Sequence, residues 1–237
     1  MALPKLGYPT YELELPSTGK TIKYRPFLVK EEKVLLLALD SKDEKQVINA
    51  VKDLIKNCVT TRIKVDTLPS FDLEYLFLKI RGASIGENII LTVTCLDDNE
   101  TQVEATINID EVEVFKPEGH DKKIMFDDKT GIVMKYPSMK EFVEREFLQK
   151  EMKTEEVYDY IADSIDQIFD DEEVYDSSTT TKKEFRTFVD SLTTKQFEKI
   201  QQFYTTCPKL SHTFKVVNPN TGKESEYTVE GLQSFFA

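Results

Sequence analysis

Four times along this chain a cluster of turn-forming residues stands between two short runs of alternating apolar and polar side chains. Residues 11–15 (YELEL) place Tyr11, Leu13 and Leu15 on one side, residues 16–20 (PSTGK) are turn chemistry, and residues 21–25 alternate again around Ile22 and Tyr24. Pro26 ends the second run because it has no N–H for a ladder. Residues 88–95 and 101–109 flank the turn 96–100, with Val103, Ala105, Ile107 and Ile109 on one side, and residues 111–115 extend the sheet. Residues 124–126 and 132–135 flank 127–131, and residues 210–217 and 224–229 flank 218–223. Strands joined by so short a turn pair antiparallel, so the chain is committed to small hairpins and must cover them with something else.

Helical stripes supply the cover. Acidic residues open a segment near Lys30, and residues 34–39 (VLLLAL) are apolar all round, which predicts a short buried helix. Residues 41–44 (SKDE) read as a capping box before Val47, Ile48, Val51, Leu54, Ile55 and Cys58, one face of a helix. Cys58 in that stripe reads as a small buried hydrophobe. A third helix is predicted from Pro69 to about Arg81, broken by Gly82 and Gly86. Later, capping signals at Ser138, Thr154, Thr181 and Thr193 precede further stripes: Phe142, Val143 and Phe147; Val157, Ile161, Ile165 and Ile168; Phe185, Phe188, Val189 and Leu192; and Phe197, Ile200 and Phe203 or Tyr204. The expected class is α+β, small antiparallel hairpins and sheets packed with helices, the C-terminal half mainly helical and ending in a hairpin. Residues 116–122 (KPEGHDK) are the clearest break and suggest two domains, 1–116 and 117–237, each a helical layer on a small sheet.

The chemistry of the chain argues against most active sites. The 237 residues carry a net charge of −12, which repels a phosphate backbone and disfavours nucleic acid. Three scattered cysteines and two histidines give neither a disulfide framework nor a zinc site. The N-terminus lacks a signal-peptide pattern, and the longest apolar run is six residues, so membrane insertion is not expected. There is no GxSxG elbow, no phosphate-binding glycine loop and no tryptophan. Residues 170–173 (DDEE) lack the spacing of an EF-hand. His120 reads as a solvated loop histidine and His212 as a strand residue. No catalytic, cofactor-binding or metal-binding residues are assigned, and no cofactor is expected.

Three ordered segments nevertheless carry a resemblance: residues 24–33 (YRPFLVKEEK) before the Leu-rich run; residues 68–75 (LPSFDLEY) before the hairpin that opens at Gly86; and residues 197–203 (FEKIQQF), followed by 207–210 (CPKL) and 231–236 (GLQSFF). Over nearly the whole chain this set resembles the baseplate hub subunit family of T4-like contractile-tailed phages, in particular the versions in T4-like phages of cyanobacteria. The resemblance implies a non-enzymatic protein that acts in assembly or structure of the central hub. It implies other hub or tail proteins as partners, with homo-oligomerisation among the options, and a place in the host cytoplasm during assembly; retention in the tail baseplate of the virion and a role in assembly alone both stay open. A hub-associated cell-wall hydrolase and a generic soluble adaptor are the competing readings.

For such a role the chain offers sheet edges for strand addition and aromatic anchors at Tyr24, Phe27, Phe235 and Phe236. Leu232, Phe235 and Phe236 share one face of a turn, expected to fold back near Phe197 and Ile200 with one phenylalanine left for a partner. Between Glu151 and Asp176 stand eleven acidic residues and one lysine. Asp159, Asp163, Asp166 and Asp170 recur at helical spacing, either as a solvated face or as a docking strip for a basic partner.

Overall fold

A computed structural model describes residues 7–138 and 154–235. The chain divides into two compact units, Met1–Phe115 with Lys209–Ala237, and Lys116–Pro208. The class is α+β.

In the first unit β1 (Tyr11–Glu14) and β2 (Thr21–Tyr24) pair antiparallel, Tyr11 opposite Tyr24 and Leu13 opposite Ile22. Three helices follow: α1 (Val29–Asp40), α2 (Glu44–Cys58) and α3 (Ser70–Ile85). The cap of α2 is Asp43, whose carboxylate accepts the Lys45 N–H at 2.9 Å and the Gln46 N–H at 3.4 Å; the box expected at Ser41 lies two residues too early. The α2 stripe does pack inward, with Val51, Leu54, Ile55 and Cys58 buried. After α2 the chain returns to β2, where Tyr24 bridges Val59 and the Thr60 N–H donates to the Lys23 carbonyl at 2.8 Å. Helix α3 is buried on most sides through Phe71, Leu73, Leu76, Phe77, Leu78 and Ile80. Its buried Asp72 accepts the Ser17 N–H at 3.0 Å and the Ser17 hydroxyl, which ties the β1–β2 turn to the helix start. Gly86 closes α3 at φ 113°, a conformation that disfavours a side chain. Then β3 (Asn88–Thr94) and β4 (Gln102–Asn108) form the second hairpin, followed by a 3-10 turn (Ile109–Glu111) and β5 (Glu113–Phe115).

The second unit holds a four-stranded antiparallel sheet, β6 (Lys123–Met125), β7 (Gly131–Met134), β8 (Ile165–Phe169) and β9 (Val174–Asp176), in that order. Among the described residues, helices α4 (Thr154–Asp163), α5 (Lys182–Asp190) and α6 (Thr194–Thr205) accompany it. Its core joins Ile124, Ile132, Met134, Ile165 and Ile168 of the sheet to Ile161, Phe185, Val189, Ile200 and Phe203 of the helices. The capping boxes at Thr181 and Thr193 form as the sequence predicts, with Glu184 and Gln196 bonding back. Gly131 is obligatory at the start of β7, where a Cβ would sit 2.6 Å from the Ile124 carbonyl and from the Phe169 ring. The helix expected from Ser138, with Phe142, Val143 and Phe147, lies outside the described residues.

One predicted helix is half strand. The stripe Val157, Ile161, Ile165 and Ile168 was expected on a single helix, but α4 stops at Asp163 and the two later isoleucines belong to β8. The cause is a β-bulge: Val133 pairs with Gln167 and Met134 with Ile165, which leaves Asp166 as the extra residue. A bulge breaks the period of two, so Ile165 and Ile168, three apart, both lie on the face of Ile132 and Met134.

The chain then leaves this unit. β10 (Lys209–Val217) pairs with β11 (Glu224–Glu230) on one side and with β5 on the other, Leu210 opposite Val114. Two expectations are corrected here. The terminal hairpin joins the N-terminal unit and not the segment that begins at residue 117, because β5 offers it an open edge. The C-terminal half is also richer in strand than a mainly helical reading allows: it contains β6 to β11.

Candidate interaction surface

Of the aromatic residues singled out as anchors, Tyr24, Phe27 and Phe235 are buried in the core. Tyr24 is buried, stacked on Tyr11 with ring centroids 5.6 Å apart, and burial, aided by nearby Tyr11 and Asp110, pushes its phenol up to about 12. Phe27 is buried, and its N–H donates to Ser84 Oγ at 2.9 Å. Phe235 is buried among Leu78, Ile89, Leu91, Ile107, Ile109, Val112 and Leu210. It therefore docks on α3 and the first unit's strands, whereas Ile200 and Phe197, beside which the sequence placed it, belong to the core of the second unit. Leu232 opens the 3-10 turn Leu232–Phe235. Phe236 lies outside the described residues.

The acidic strip is not one helical face. Asp159 and Asp163 are on α4, Asp166 is the bulge residue of β8, and Asp170 closes the following turn by accepting the Glu172 and Glu173 N–H groups at 2.9 and 2.8 Å. Part of the strip is neutralised within the unit. Arg186 of α5 reaches Glu155 at 2.7 Å, Asp159 at 2.9 Å and Asp190 at 2.6 Å, and Lys182 reaches Asp163 at 2.8 Å.

The apolar surface that is exposed was read as interior in the sequence. On α1 only Glu31, Leu35 and Ala38 are buried. Val29, Leu36 and Leu37 are 80%, 54% and 60% exposed, and Leu28 and Val34 are also exposed. An apolar run that points in every direction needs neighbours in every direction, and here a single narrow face of α1 is covered. The available signal was Glu31, spaced with Leu35 and Ala38 at i, i+4 and i+7, which marks the one face that carries a polar contact inward. Other exposed apolar side chains of the first unit include Ile85, Ile90, Leu96 and Phe115.

Two polar clusters look at first like sites. In the first unit, Asn218 is buried and donates through Nδ2 to Asp97 Oδ1 and to Asp98 Oδ2, both at 2.9 Å, while its Oδ1 accepts the Asn220 N–H at 2.8 Å. Thr221 donates to Asp97 and Asn220 to Thr101 Oγ1, so the β10–β11 turn is locked to the β3–β4 turn. The Thr221 and Asn218 hydrogen bonds hold Asp97 below the usual carboxylate range, and the Thr101 hydroxyl with the Glu100 and Thr101 N–H groups does the same for Asp98. Asn218→Ala should lower stability by about 2 kcal/mol, because it removes hydrogen bonds to charged acceptors from a buried amide. Denaturant unfolding checks this, with Asn220→Ala, on an exposed side chain, expected to cost less.

In the second unit His120 is buried, which corrects the solvated-loop reading. Its ring lies 2.8 Å through Nδ1 from Thr206 Oγ1 and 3.1 Å through Nε2 from Tyr136 Oη, and stacks on Phe203 at 5.2 Å. Burial, then Lys116, holds it below the usual imidazole range against the pull of Asp121, so it serves as a neutral packing group. His212 bonds the Glu111 carbonyl at 3.2 Å and stacks on Phe214. Among the described residues no group of three or more His, Cys, Asp or Glu side chains is placed to hold a metal ion, and no helix is long and apolar enough to cross a membrane. What the described surface offers chemically is apolar contact.

Residues 8–237 match the family model described as T4 bacteriophage base plate protein. No curated protein and no solved structure matches the chain.

Proposed function

The chain belongs to the T4 bacteriophage base plate protein family, and we propose that it serves the central hub of a baseplate through protein–protein contacts and without catalysis. The match over residues 8–237 carries this reading. The exposed apolar side chains of α1 support it, since a component of a larger assembly needs contact surface and not a polar cleft. The net charge of −12 favours hub or tail partners that present basic surface. In this reading the protein meets its partners in the host cytoplasm during assembly and stays with the tail baseplate.

Affinity purification of the tagged chain from infected cells, beside mass spectrometry of purified virions, tests the proposal. Co-purification of baseplate or tail proteins is the expected result. Absence from virions together with no tail-protein partner would overturn it, and clearing of purified peptidoglycan by the isolated chain would overturn its non-catalytic part.

A further inference from the structure

We propose that the exposed face of α1 is a self-association surface on which a second copy of this chain packs antiparallel, about a two-fold axis between Leu36 and Leu37. The face consists of Val29, Lys33, Leu36, Leu37 and Asp40, at i, i+4, i+7, i+8 and i+11, and all five are exposed. Leu35 and Ala38, which face the other way, are buried.

The choice of a second copy rests on the order of the charges. Lys33 and Asp40 stand equally far from the Leu36–Leu37 centre, on opposite sides, with opposite sign. Neither forms an ion pair among the described residues. An antiparallel pair with its two-fold at that centre sets Leu36 against Leu37 of the second copy, and sets Lys33 against Asp40 of the second copy twice over. A closed two-fold contact requires this self-complementarity. Had the same sign stood on both sides, a two-fold pair would place like charges together.

Other occupants fit less well. An anionic lipid surface favours a helix with cationic flanks, whereas the charges α1 turns outward balance, the exposed Lys30 and Lys33 against the half-buried Glu32 and the exposed Asp40. A basic partner gains nothing from a face whose own charges cancel. The net −12 of each chain opposes pairing at a distance, but that repulsion is screened beyond about 8 Å at physiological salt. One twelve-residue helix, about 18 Å long, gives a small contact, so the association is expected to be weak and concentration-dependent.

The self-association deepens the hub reading without depending on it, and the two fail separately. Sedimentation equilibrium of the full chain over a wide concentration range should give a monomer–dimer equilibrium. Leu36→Glu should weaken it at least about tenfold with the circular dichroism spectrum unchanged, because the residue is exposed in the monomer. Lys33→Glu alone and Asp40→Lys alone should each weaken it, and the two together should restore it, an outcome a generic apolar patch does not give. A chain that stays monomeric throughout would overturn the proposal, as would a double variant no better than the singles. Flotation of a monomeric chain with anionic vesicles would overturn it too, as would Leu36→Glu abolishing tail-protein capture while the chain remains monomeric. In that last case the hub reading would stand and α1 would belong to a different partner.

Discussion

Glu31→Ala is expected to cost about 3–5 kcal/mol, because it strands a buried guanidinium. Arg25 and Glu31 are both buried and meet at 3.0 Å, Nη2 to Oε1. The second carboxylate oxygen of Glu31 accepts the Leu28 N–H at 2.7 Å, so one side chain pairs the arginine and satisfies a donor at the start of α1. Without it, Arg25 keeps the Pro26 carbonyl at 2.8 Å, a distant Cys58 Sγ at 3.7 Å and the Tyr8 ring at 5.2 Å, none of them charged. In a chain of this size such a loss lowers the melting temperature by about 6–20 °C. Glu32→Ala, one position along and outside this pair, should stay within about 0.5 kcal/mol. The pair itself need not stabilise relative to an apolar replacement, so Arg25→Met with Glu31→Leu should recover a large part of the loss. A cost for Glu31→Ala below about 1 kcal/mol would mean the arginine escapes to water.

The same carboxylate gives a pH signature. Burial raises its proton affinity, but the Arg25 and Leu28 hydrogen bonds outweigh that and leave Glu31 titrating below its ordinary 4.5. A carboxylate depressed in the folded state stabilises above its unfolded pKa, and that contribution is lost as the pH falls through the folded value. Stability should therefore decline on acidification from about pH 5 downward, and the decline should be shallower in Glu31→Gln. Asp72 acts in the opposite sense: burial raises it in spite of two Ser17 hydrogen bonds, so its protonation favours the folded state as the pH falls.

The elements that local chemistry decides were legible in the sequence, and those that a distant segment decides were not. The hairpin turns, the Thr181 and Thr193 caps and the α2 stripe depend on neighbours within a few residues, and all form as read. Ile165 and Ile168 were misassigned because their spacing of three suits a helix, and a bulge set by the register against β7 produces the same spacing in a strand. His120 sits in a polar loop, yet residues from 16 and 86 positions away, Tyr136 and Thr206, bury it. The α1 face erred in the opposite direction: an apolar run says that a surface wants covering, and this chain covers only the side of Leu35 and Ala38. For the candidate surface this matters most, since Tyr24, Phe27 and Phe235 have the chemistry of anchors yet are core, while Val34, Leu36 and Leu37 read as interior yet are exposed.

Phe235→Ala should cost about 3–5 kcal/mol, as expected for a large side chain removed from a well-packed site. Chain ends ordinarily fray and tolerate change, but Phe235 is 1% exposed and shares a cluster with Leu78 of α3, Ile89 and Leu91 of β3, Ile107 of β4 and Leu210 of β10. The geometry that places it there is local and specific: Gly231 turns the chain at φ 71°, and its N–H donates to the Leu210 carbonyl at 2.9 Å. The partner of this phenylalanine can be identified by coupling. Phe235→Ala combined with Leu78→Ala should depart from additivity by about 0.5 kcal/mol or more, because the two line one cavity. Combined with Ile200→Ala, which lies in the other cluster, it should be additive within about 0.5 kcal/mol. Coupling to Ile200 and not to Leu78 would return the tail to the last helix, where its sequence alone had placed it. Coupling to Leu78 makes the end of the chain a wedge that holds the β10–β11 hairpin and the β3–β4 hairpin on α3, so that loss of Phe235 should also weaken the β10–β5 pairing, read as faster amide exchange at Ser211, whose backbone lies in that ladder opposite Glu113.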